Sequence, residues 1–189
     1  MDRRNFLKLS GTGTLGAGLL LAGCDILETD SRAADPSGDI NLLKKVVEME
    51  GVAVATYQFA AASGVLSTPV VIETAVAFMD SHRTHAVYIN NVLQSLGGAT
   101  VNWESVQKDP RAAGVSSESQ VVSLATILEY EAAKAYFEHM FNSVLSTREA
   151  KKALADIYPI EAAHYLKYRE LQGLSGITST DLFTALGSP

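Results

Sequence analysis

From Phe78 onward the chain places Phe78, His82, His85, Ile89, Val92 and Leu96 in alternating steps of four and three, which is one stripe of a helix. Ile157, Glu161, His164, Tyr168 and Leu171 repeat the pattern later. Four long helical patterns of this kind can be traced, each with start and stop signals. The first runs from about Asp39 to Ser63 and stops at Gly64. The second opens at Thr68-Pro69, with Thr as N-cap and Pro at the first helical position, and ends at Gly97-Gly98. The third opens with Ser117-Glu118-Ser119-Gln120 and the fourth with Ser146-Thr147-Arg148-Glu149, both readable as capping boxes, and Gly173 closes the last. No alternating strand pattern of comparable strength occurs.

Loops of a few residues after the first and third helices force two antiparallel helical hairpins. The link over residues 97–116 is different. Its 20 residues reach roughly 66 Å when extended, enough to run the length of a bundle of helices about 40 Å long. The second and third helices can then lie parallel, in an all-α four-helix bundle with one long crossover.

Composition narrows the chemistry. The 189 residues are 47% hydrophobic and 19% charged, which suits one compact domain. A formal charge of −6 argues against capture of nucleic acid. A single Cys excludes an internal disulfide framework and a Cys-rich zinc cluster, so metal chemistry must rest on His and carboxylates.

Overlaying the two hairpins at an offset of 79 residues sets Glu50 on Glu129, Tyr57 on Tyr136, His82 on Glu161 and His85 on His164. This reads as an internal repeat. Glu50 with Tyr57, and Glu129 with Tyr136, sit seven apart and share a stripe, so all four helices aim polar groups at the apolar seam. Glu50 lies 14 residues before Gly64, while His82 and His85 lie 13 and 16 after Pro69. Glu129 lies 16 before Leu145, and Glu161 and His164 lie 14 and 17 after Thr147, so the six groups can meet at one level. Carboxylates gathered in an apolar core lose hydration worth several kcal/mol per ion and need a compensating cation. Carboxylate oxygen with imidazole nitrogen suits iron or manganese, with zinc a common competitor.

The N-terminus carries a separate message. Arg3-Arg4-Asn5-Phe6-Leu7-Lys8 precedes an uncharged Gly- and Leu-rich stretch ending Leu21-Ala22-Gly23-Cys24, too short to span a bilayer as a stable helix. It resembles a twin-arginine export signal joined to a lipobox. The resemblance implies a signal peptide over 1–23, cleavage before a lipidated Cys24, and export of an already folded domain to a membrane face outside the cytoplasm. Residues 24–38 are polar and aperiodic, as a tether should be. The bundle would span 39–173, and a tail with a short helix 174–189.

Over residues 39–173 the pattern resembles the ferritin-like superfamily, including ferritins, rubrerythrins and exported desiccation-related proteins. Its ligand pattern is a Glu on helix 1, Glu-x-x-His on helix 2, a Glu on helix 3 and Glu-x-x-His on helix 4. That maps onto Glu50, His82 with His85, Glu129, and Glu161 with His164, and the family often has a Tyr where Tyr57 stands. The resemblance implies terminal Glu50 and Glu129 and a bridging Glu161. His82 departs from it, standing where a second bridging Glu is usual. Either an exogenous bridge completes a dinuclear site, or one metal binds.

Tyr57 and Tyr136 are expected as core aromatics hydrogen-bonded to site carboxylates. His139, about 80° around the helix from Glu129, belongs to the rim or surface, and Glu48, Glu131 and Glu138 point to solvent. Pro159 removes a backbone hydrogen bond from the fourth helix two residues before Glu161 and should bend it, as ordinary curvature or as a way of aiming Glu161. Val52 and Phe59 lie nearly opposite Glu50, so the crossover with Trp103, or a second subunit in a homodimer, should cover the back of the first helix. Two function classes follow. One is a di-metal oxidoreductase of ferroxidase or peroxidase type that protects against stress and takes electrons from an external donor, since no rubredoxin-like Cys centre is present. The other is a non-catalytic structural or binding lipoprotein with a mononuclear metal site or none.

Overall fold

The computed structural model describes residues 35–174. The leader 1–23, Cys24, most of the tether and the expected short C-terminal helix lie outside the described residues. Four helices follow in order: α1 (Ser37–Ala62), α2 (Pro69–Ser95), α3 (Glu118–Met140) and α4 (Arg148–Leu171). The crossover between α2 and α3 carries two short 3-10 turns, Trp103–Ser105 and Pro110–Gly114. α1 pairs with α2 and α3 with α4 as hairpins; α2 then packs on α4, while α1 and α3 touch only sparsely. None of the described helices is long and apolar enough to cross a membrane.

Gly64 and Gly97 stop α1 and α2 at φ of 73° and 81°, a left-handed conformation that a side chain would strain. The starts differ in detail from the expectation. α1 begins at Ser37, two residues earlier than expected. Ser117 caps α3 through the Gln120 N–H, but Gln120 accepts from the N–H of Ser116 instead of returning to Ser117. The N-cap of α4 is Thr147, which accepts from the Ala150 N–H, one residue later than the expected capping box. The freed Ser146 and Thr147 N–H groups donate to the buried Asp39 carboxylate of α1 at 2.8 and 2.7 Å. The other hairpin does the same. Glu118 of α3 accepts from the Thr68 N–H at 2.8 Å and from the Ser67 N–H. Asp39 and Glu118, and Thr68 and Thr147, stand 79 residues apart, so the repeat includes the helix ends.

α4 runs on through Pro159 as one helix. The crossover is fastened to the first hairpin. The Asn90 carboxamide holds the Val101 backbone through both its N–H (2.9 Å) and its carbonyl (3.0 Å), and the Asp109 N–H donates to Thr56 Oγ1 at 2.9 Å. A Cβ on Gly51 would stand 2.6 Å from the Trp103 carbonyl oxygen, so the crossover approaches the α1 backbone as closely as only Gly permits. Lys108 lies over the Phe59 ring at 4.5 Å. The crossover of the same chain therefore lies along the back of α1, with Phe59 left 37% exposed.

Two apolar clusters fill the bundle. One gathers Leu43, Val47, Ile89, Leu93, Leu154 and Ile157 with their neighbours; the other gathers Val71, Ala75, Val122 and Ala125 around Tyr57 and Tyr168. Fully burying a side chain of this size contributes about 1.5–3 kcal/mol. Beside these clusters sit Glu50, His82, His85, Glu129, Glu161 and His164, all buried.

Candidate metal centre

All six residues singled out from the pattern meet. Glu50, His82, His85 and Glu161 each offer a ligand atom within 4.8 Å of the others, and His82, Glu129, Glu161 and His164 form a second such group. Glu161 and His82 belong to both. Glu161 Oε1 stands 2.7 Å from His85 Nδ1, while its Oε2 stands 3.6 Å from His164 Nδ1. One carboxylate thus faces both groups with different oxygens.

His82 is placed between the Glu50 and Glu129 carboxylates, its Nδ1 2.8 Å from Glu50 Oε2 and its Nε2 3.1 Å from Glu129 Oε1. Carboxylates only accept, so donating from both ring nitrogens requires the imidazolium. Burial opposes that charge, but Glu161, Glu129 and Glu50 together outweigh it and hold the His82 pKa well above the ordinary imidazole value. Burial likewise pushes Glu50 up, yet the His82 charge prevails and brings it down to about 2. Glu129 is held well below the carboxylate range by the same contest between burial and His82. His85, against burial, is raised to about 9 by Glu161 and Glu50.

The tyrosines brace the carboxylates across the bundle. The Tyr57 hydroxyl donates to Glu129 Oε1 and the Tyr136 hydroxyl to Glu50 Oε1, each reaching the other hairpin's Glu. After these bonds are made, His85 Nδ1, His164 Nδ1, Glu129 Oε2 and both oxygens of Glu161 remain buried without a hydrogen-bond partner. The 2.7 Å approach of His85 Nδ1 to Glu161 lacks hydrogen-bonding alignment. Buried nitrogen and oxygen atoms that crowd together without hydrogen-bonding alignment suit a shared cation that would take the place of the imidazole protons, and orphaned buried polar atoms otherwise cost about 1–3 kcal/mol each. Oxygen and imidazole donors of this kind fit a divalent metal.

Several supports had no role assigned from the pattern, although Phe78 and Tyr168 stand on its stripes. Ser81 Oγ pairs with His85 Nε2 at 3.3 Å, which leaves Nδ1 facing the centre, and its signal was an i, i+4 relation on α2. Phe78 stacks on the His164 ring with centroids 3.8 Å apart. Tyr168 lies beside Tyr57, ring centroids 6.3 Å apart. Glu131 is exposed as expected, but it holds Arg111 of the crossover, a partner that no helical periodicity could indicate. His139 lies outside both groups.

In overall structure the chain resembles a conserved hypothetical protein, rv2844, from Mycobacterium tuberculosis, with a TM-score of 0.60 and 18% identity, covering 77% of this chain and 97% of that one. At that identity the likeness concerns the fold. Among curated proteins there is no significant match. The pattern of the Ferritin-like domain family matches residues 38–173, which takes in all four helices and both His/Glu groups, and on that match the chain belongs to the ferritin-like family.

Proposed function

We propose that this protein is an exported, lipid-anchored metal protein whose bundle core holds iron or manganese and reacts with dioxygen or peroxide. The observation that carries the metal reading is the pair of buried His/Glu groups that share Glu161 and His82 and leave five buried nitrogen and oxygen atoms without a hydrogen-bond partner. Glu50 and Glu129 would be terminal ligands, Glu161 the bridge, and His82, His85 and His164 the imidazoles. Bound iron or manganese would supply one-electron chemistry toward the oxidant, and an external donor would return the electrons. The chain's own groups orient the ligands: Tyr57 and Tyr136 fix one oxygen of each terminal carboxylate, Ser81 fixes the His85 ring, and Phe78 shields His164 from water. The anchor reading rests on Arg3-Arg4 and on the run ending at Cys24.

The His82 position favours a second reading. An imidazolium between Glu50 and Glu129 is itself a cation in the place where a metal would go, so one metal or none could satisfy a structural lipoprotein. Elemental analysis after anaerobic reconstitution with ferrous iron, manganese or zinc separates the two. Two iron or manganese ions per chain, lost in Glu161→Ala, with dioxygen or peroxide consumed on addition of a reductant, is the expected result. No bound metal would sink the metal reading, and one ion that leaves peroxide untouched would establish the structural alternative.

A further inference from the structure

α1 and α3 pack more sparsely than α1 with α2, α3 with α4 or α2 with α4, and a cavity of about 330 Å³ lies between them. Its walls are apolar, with Met49, Val52, Leu128 and Ala135 among them. Its inner end is made by Glu50, His82 and Glu129, and its outer end by Asp109, Arg111 and Glu131. The inner residues are buried and the Arg111 and Glu131 side chains are 44% and 50% exposed, so the cavity joins the surface to the centre. At ~30 Å³ per water it has room for about ten waters, enough for a hydrated ion.

The outer end is built around a cation. Arg111 donates to Asp109 from Nε at 2.9 Å and from Nη2 at 2.8 Å, and to Glu131 from Nη1 at 3.0 Å and Nη2 at 2.7 Å. Two carboxylates share one positive charge, leaving the rim negative. At the inner end Glu129, 1% exposed, lines the cavity, and its Oε2 stands 3.3 Å from His164 Nδ1 of the centre without a hydrogen-bond partner. Low-dielectric walls between two negative ends focus the field on an entering cation. A divalent ion would neutralise Asp109 and Glu131 where the guanidinium neutralises only one of them.

We propose that the α1–α3 cavity is the route by which a hydrated divalent cation reaches the centre, with Asp109 and Glu131 as its first docking pair and Arg111 as the resident cation that yields to it. This rests on the metal reading of the centre. Arg111 also ties the crossover to α3, and the test must separate passage from bracing.

The test is the rate at which the full chain takes up cobalt(II) alone, followed by the visible ligand-field absorption at low salt, with the equilibrium stoichiometry measured in parallel. Arg111→Ala should speed uptake severalfold. Glu131→Gln should slow it severalfold, with the deficit shrinking as salt is raised. Ala135→Leu, which fills the cavity without changing charge, should also slow it. Stoichiometry should be unchanged throughout. If wild type binds no cobalt at equilibrium, the metal reading falls and this route with it. If binding is normal but Glu131→Gln and Ala135→Leu load at the wild-type rate, the ion enters elsewhere and the route alone is overturned. Should Arg111→Ala fail to fold, those two variants still decide the matter.

Discussion

Tyr57 of the first hairpin donates its hydroxyl to Glu129 of the second, and the equivalent bond from Tyr136 to Glu50 crosses in the opposite direction. Each half of the repeat therefore holds the other half's carboxylate. The two hairpins are joined at the level of the centre by these bonds and by His82, with apolar packing on either side.

Replacing Tyr57 or Tyr136 by Phe removes a bond to a charged acceptor, worth about 1.5–3 kcal/mol. Denaturant unfolding of the metal-free chain should show a loss of that size for each variant, and the two losses should be alike because the environments correspond. A loss in one variant alone would show that the bracing is not reciprocal.

His82→Glu restores the internal repeat and exchanges the central imidazolium for a fourth buried carboxylate. The metal-free variant should be less stable than wild type by several kcal/mol, the cost of an uncompensated buried charge. Adding iron(II) or manganese(II) should reverse the order, with the variant gaining more in Tm than the wild type. Equal metal responses would show that position 82 does not limit metal binding.

The Glu118 pKa is drawn from 4.5 down to about 2 by the Thr68 hydroxyl and the Ser67 and Thr68 N–H groups that it accepts from. A carboxylate with a lowered folded-state pKa stabilises the fold above its unfolded value and loses that contribution as pH falls toward the folded one. Thermal melts of wild type and Glu118→Gln should differ most at neutral pH and converge between about pH 4.5 and pH 2. A gap that is constant across this range would assign the effect to shape alone.

Gly51→Ala pushes a methyl group against the Trp103 carbonyl, a backbone atom with little room to give. Overpacking of this kind costs about 1–3 kcal/mol. Hydrogen exchange should quicken in the crossover around Trp103 and Val106 and stay slow in α4. Unchanged exchange there would mean that the crossover is not seated on Gly51.

The fold and the centre were legible for a common reason. A four-helix bundle imposes a fixed period, so buried positions recur every three or four residues, and polar groups such as Glu50, His82 and Glu161 stand out on an otherwise apolar stripe. Equal loop offsets then place them at one depth. The 79-residue repeat also contained Asp39 with Glu118 and Thr68 with Thr147, but helix-end pairing depends on which termini adjoin, and Asp39 reaches Ser146 and Thr147 only after α1 and α4 are side by side.

By itself, the sequence determined the four long helices of the described residues, the hairpins, the crossover and the six inward-facing groups, because local periodicity and loop length govern each of these. Only the tertiary structure decided that His82 lies between Glu50 and Glu129, that each Tyr serves the opposite hairpin, and that Arg111 lines the outer end of a cavity beside α3. Those relations join residues 20 to 86 positions apart, and at such distances no periodicity survives and only packing selects the partner.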